Sequence, residues 1–65
     1  MNAERPLYRV TASREDGLWV AIVDDVPAGA TDVERVAELD DAVRDLVATY
    51  ADLEPEDFNL EWCFQ

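Results

Sequence analysis

From Leu7 to Arg14, apolar and polar residues alternate, with Tyr8, Val10 and Ala12 on one side and Arg9, Thr11 and Ser13 on the other. A period of two predicts a strand with one buried face. Glu15-Asp16-Gly17 follows, and Asp-Gly between two strands signals a tight hairpin, because both residues tolerate positive φ. The second strand, Leu18 to Val26, is apolar at almost every position until Pro27-Ala28-Gly29 breaks it. Ala30 to Val36 reads as a weaker third strand. Thr31-Asp32-Val33-Glu34 also fits a capping box, so an early helical turn is the alternative there.

The period then changes. Val36, Leu39, Val43, Leu46, Tyr50 and Leu53 recur at steps of three and four, which predicts an amphipathic helix of about four turns. Glu38, Asp40 and Asp41 occupy its first turn, where the helix dipole favours negative charge. Asp40 and Arg44 stand at i and i+4 on the exposed side. Pro55 is expected to end the helix by disfavouring the α conformation at Glu54. Phe58 to Phe64 alternates strictly and predicts a fourth strand.

The order β-β-β-α-β places one helix on one face of a mostly antiparallel sheet, an α+β fold. A two-residue turn at Asp16-Gly17 would pair Glu15 with Leu18, Arg14 with Trp19, Ala12 with Ala21 and Val10 with Val23. Tyr8, Val10, Ala12, Trp19, Ala21 and Val23 then share the helix-covered face. Leu7, Arg9, Thr11, Ser13, Leu18, Val20 and Ile22 share the other. A solvated face should alternate cleanly, and this second strand does not, so its surplus apolar residues imply a cover for that face as well. A longer, bulged turn would exchange the two faces but leave the surplus.

Size sharpens that expectation. A chain of 65 residues forms at most one domain, near the lower limit for folding alone. Its single cysteine, Cys63, excludes an internal disulfide, and the absence of histidine leaves a structural zinc without a ligand set. A second chain is the remaining source of extra stability. Sixteen acidic residues against five basic ones give a net charge of −11. Such a surface repels phosphate backbones and anionic lipids, so no direct nucleic-acid or membrane contact is expected, whereas a basic protein would be attracted. Met1 to Pro6 lacks the apolar run of a signal peptide. With the lone thiol and no stretch of roughly 20 apolar residues, this makes the cytoplasm the expected compartment.

Candidate chemistry is sparse. Asp24 and Asp25, as strand neighbours, would point to opposite faces and not converge on a metal. Glu54-Pro55-Glu56-Asp57 lacks the spacing and glycine of a calcium loop. Cys63 falls on the polar side of the last strand beside Glu61, with no histidine or lysine nearby to activate it. Trp19, Trp62, Phe58 and Phe64 sit at strand spacing, as core aromatics do. No enzyme, cofactor or metal site is expected.

Tyr8-Arg9-Val10-Thr11-Ala12, Gly17-Leu18-Trp19-Val20-Ala21, then Val26-Pro27, Gly29 and Thr31, and the helical Leu39-Asp40-Asp41-Ala42 follow one another in an order that resembles the HicB-like antitoxin family. Leu53 to Glu61 is similar to the tail of short versions associated with actinobacteria. The likeness runs from about residue 7 to residue 62. It implies a degenerate ribonuclease-H-like or double-stranded-RNA-binding-like sheet-plus-helix domain without catalytic residues. Its usual job is to bind a small basic HicA-type ribonuclease toxin and mask the toxin's active-site histidine. Two departures stand out: Ala28 is an extra residue in the usual Pro-Gly corner, and the family's C-terminal DNA-binding domain has no counterpart in a single domain spanning residues 1–65.

The leading expectation is therefore an antitoxin-like module with a HicA-like partner. The alternatives are an orphan homo-oligomer of the same fold and a carboxylate hydrolase, the last lacking a converging acidic set. The expected partner-binding residues are Leu18, Val20 and Ile22, with Arg9 and Thr11 on the same face and Asp41 and Asp45 as exposed helix acids.

Overall fold

In a computed structural model, which describes residues 5–65, the hairpin forms as its turn chemistry dictates. Asp16 and Gly17 both take positive φ, at 54° and 81°, the pattern that matches strand twist in a two-residue turn. β1 (Leu7–Glu15) and β2 (Leu18–Val23) therefore pair antiparallel in the expected register, Glu15 opposite Leu18 and Val10 opposite Val23. The reading of the N-terminus falls mainly on Met1 to Glu4, which lie outside the described residues.

β3 (Ala30–Val33) joins β2 antiparallel, and β4 (Asn59–Phe64) joins β1 parallel, in the order β3-β2-β1-β4. Between β3 and β4 the chain makes a short 3-10 turn (Val36–Glu38) and a helix, α1 (Leu39–Ala51). The result is a four-stranded mixed sheet with one helix, a small α+β fold.

Several boundaries differ from expectation. β2 stops at Val23, not Val26, because the Val23 N–H donates to the Gly29 carbonyl at 2.7 Å and closes a loop over Asp24 to Ala28. Asp24 and Asp25 thus lie in an exposed turn instead of on a strand, while Val26 folds back into the core. β3 ends at Val33, three residues early, since β2 offers partners only from Trp19 to Ile22. The turn then starts at Arg35, whose N–H donates to the Glu38 carboxylate at 3.3 Å, so the helical entry lies beyond the Thr31–Glu34 segment.

The corner itself needs correcting. Its positive φ falls on Ala28, at 56°, not on Gly29. Gly29 is required for space, because a Cβ there would lie 2.7 Å from the Val26 Cβ. A left-handed residue with a Cβ costs roughly 1–2 kcal/mol, partly offset by the extra freedom glycine adds to the unfolded chain. Ala28→Gly is therefore expected to raise stability by about 0.5–1 kcal/mol, read by thermal or urea melting.

Helix α1 covers the predicted face. Leu39, Val43 and Val47 bury against Val10, Ala12, Ala21 and Val23, with Val26 and Phe58 completing the core. Each buried valine, leucine or phenylalanine among them contributes about 1.5–3 kcal/mol. The buried stripe differs from the one expected: Val47 takes the place of Tyr50, and both Val36 and Tyr50 are exposed. With the helix ending at Ala51, Tyr50 falls in its last turn. The stop is Asp52, in the left-handed conformation at φ 58°, with the Leu53 N–H donating back to the Ala48 carbonyl at 3.0 Å. That C-terminal motif acts before Pro55 is reached.

Candidate functional site

The sheet has two unequal faces, and register assigns each residue to one of them. Pairing of Thr11 with Ile22, Ser13 with Val20 and Glu15 with Leu18 places all six on the side away from α1. Ala30 and Asp32 join them from β3 through Ile22 and Val20. Arg9 and Thr11 bring in Glu61 and Cys63 from β4. The expected residues Leu18, Val20, Ile22, Arg9 and Thr11 thus share one surface that no described element covers.

Leu18 and Val20 are half-buried by their neighbours, whereas Ile22 is 49% exposed and Leu7, at the far end of the same face, 53%. Leu18, Val20 and Ile22 form an apolar row along β2 inside a polar border, with Leu7 apart from them on β1. Asp32 flanks it on β3, Glu15 stands at the hairpin end with its carboxylate accepting from the Ser13 hydroxyl at 3.0 Å, and Asp24 stands at the other end. On β1 and β4 the border is an ion pair, with the Arg9 Nε 3.0 Å from the Glu61 carboxylate. Both partners are largely exposed, so the pair adds little stability. It does cancel one charge on this face and leaves the carboxylates of Glu15, Asp24 and Asp32 uncompensated by any described ion pair. An apolar centre within a charged rim is the usual layout of a protein-binding surface.

Asp41 and Asp45 are exposed, but on the helix, across the sheet from this row. The structure therefore does not bring them together with Val20 and Ile22. A partner docked on the sheet would feel them only through the long-range field, which salt screens over about 8 Å at physiological strength.

Two features escaped the pattern reading. Arg44 forms the expected bond to Asp40, at 3.0 Å, yet it is not simply an exposed partner. Its guanidinium also donates to the Pro55 carbonyl at 2.6 Å and the Phe58 carbonyl at 3.4 Å, and lies 5.5 Å from the Phe58 ring. It ties the helix to the loop that leads into β4. The second feature is aromatic. Phe58 is buried as expected, edge-on to Tyr8 at 5.7 Å, but Trp19 and Trp62 are only half-buried and Phe64 is 54% exposed. Phe64 stacks on Trp62 and meets Trp19 edge-on, with Arg14 over Trp19, at the end of the core face that α1 does not reach. The strand period correctly assigned Phe64 its face. It carried no information on how far along that face the helix extends.

Among the described residues, no three Asp, Glu or Cys side chains gather as a metal site would require. The Cys63 thiol is free and exposed, opposite Thr11. No described helix is long and apolar enough to cross a membrane. Compared with protein-family models, curated proteins and solved structures, the chain finds no match in any of the three.

Proposed function

We propose that this chain is a non-catalytic protein-binding module, HicB-like in kind, that neutralises a small basic ribonuclease by masking it. The observation that carries the reading is the uncovered row Leu18, Val20 and Ile22, bordered by Glu15, Asp24 and Asp32 on a chain of net charge −11. An apolar centre supplies contact energy, and the acidic border and overall field select and steer a basic partner. The order of sequence features from Tyr8 to Glu61 supports the same reading. A second copy is a poorer cover for this particular face, since it would bring two sets of rim carboxylates together in a pair of molecules that already repel.

The partner is expected in the neighbouring reading frame, about 60 to 90 residues long, basic and with one histidine. The test is neutralisation. The purified product of that frame should cleave RNA alone and stop when this chain is added.

A further inference from the structure

β4 is an edge strand, and its free side is built for pairing. The Asn59 N–H donates to the Pro6 carbonyl at 2.9 Å and the Gln65 N–H to the Ala12 carbonyl at 2.8 Å. Odd-numbered residues of this segment therefore turn their backbone groups toward β1. By the alternation of a strand, Leu60, Trp62 and Phe64 turn theirs outward, where the described chain supplies no partner.

Sheet edges are normally protected by charges, proline, bulges or brevity. The opposite edge fits that rule: β3 has four residues, with Asp32 inside it and Glu34 just beyond. β4 has six residues, no proline and one charge, Glu61, already paired to Arg9.

We propose that β4 pairs antiparallel with β4 of a second copy of this chain, joining two sheets into one of eight strands, four from each copy. The sequence selects the register. Centring the two-fold axis on Trp62 places Leu60 opposite Phe64 of the partner subunit, Trp62 opposite the partner's Trp62, and Phe64 opposite the partner's Leu60. Each pair exchanges two backbone bonds, about six in all. The exposed Phe64 ring gains an aliphatic neighbour. Glu61 falls opposite the partner's Cys63, so the two carboxylates do not face each other. Centring on Glu61 would set them directly opposite, which is destabilising. The dimer leaves the Leu18–Val20–Ile22 row free and sets two such rows on one side of the joined sheet.

Two copies of charge −11 repel, so the dimer should tighten by several-fold as salt rises from about 0.05 to about 0.5 M. A complex with a basic partner would weaken over the same range. Sedimentation equilibrium of the whole chain alone reads the first effect directly. Phe64→Pro removes an outward N–H without touching the bonds to β1, a position where an edge strand tolerates proline. It should raise the dimer dissociation constant by about tenfold or more, while the circular dichroism spectrum stays native.

A second variant reads the register. Glu61→Cys places a thiol opposite the partner's Cys63 in a non-hydrogen-bonded pair, whose Cα separation of about 4.5 Å suits a disulfide. Mild oxidation should give a covalent dimer, and Glu61→Cys combined with Cys63→Ser should not. A monomer at every salt concentration overturns the proposal. Cross-linking that is absent from the single variant, or equally efficient in the double one, overturns it as well.

Discussion

Arginine in place of Ile22 is expected to speed dissociation of the partner complex by about a hundredfold and leave the melting transition of the free chain unchanged. Ile22 faces away from α1 and is 49% exposed, so the core does not register the change. In the complex the added guanidinium would be desolvated against a basic surface with no carboxylate opposite it. Truncations and unpaired charges at interface centres cost roughly 2–5 kcal/mol, and about 2.7 kcal/mol is already a factor of a hundred. Most of that appears in the dissociation rate, because association is governed by diffusion and long-range charge. Surface plasmon resonance gives both rates. An unchanged dissociation rate would remove the outer sheet face from the interface.

Alanine in place of Phe58 should leave the chain largely unfolded at 25 °C. Phe58 is 1% exposed and heads the set of large, fully buried side chains. Its ring meets Tyr8 edge-on, and its carbonyl is one of the anchors for Arg44, which links α1 to the start of β4. Loss of a buried phenylalanine costs about 3–5 kcal/mol, and a single core in a chain this short rarely supplies more than about 3–5 kcal/mol in total. The two are equal in size, so unfolding is the expected result, read as loss of the far-ultraviolet dichroism signal. Phe58→Leu, which keeps much of the volume, should remain folded with a lowered midpoint.

The contrast between these two substitutions reflects what was legible in the chain. The alternation in β1 and the Asp16-Gly17 turn determine the hairpin register, and register determines which side of the sheet each residue occupies. That Ile22 lies outside and Val10 inside follows from two local features. What stayed hidden depends on where elements stop. The end of α1 is set by the left-handed conformation of Asp52, which hydrophobic spacing does not encode. Tyr50 therefore continues the apolar period yet sits in solvent, and Val47 takes its place in the core. The corner shows the same limit: Gly29 reads as the flexible residue, but Ala28 adopts the positive φ and Gly29 is needed because Val26 folds against it.

The candidate site was legible in part for the same reason. Leu18, Val20, Ile22, Arg9 and Thr11 are related by the hairpin alone. Asp32 belongs to their border only through the pairing of β3 with β2, and the sequence left that segment open between strand and helical turn. Asp24 is two residues past Ile22, so the alternation of β2 already gives it the outer face. Asp41 and Asp45 show the converse. Composition places them with the acidic surface, but the sheet lies between them and the apolar row, so any role in binding is limited to steering.

Neutralisation of the proposed basic partner tests the central reading most directly. Its RNA cleavage would be followed while this chain is titrated in at low salt. The account predicts that cleavage falls linearly to zero at a fixed stoichiometric ratio, and that the Ile22→Arg chain fails to stop it at the same concentration. Cleavage that continues unchanged in a molar excess of the wild-type chain would contradict it.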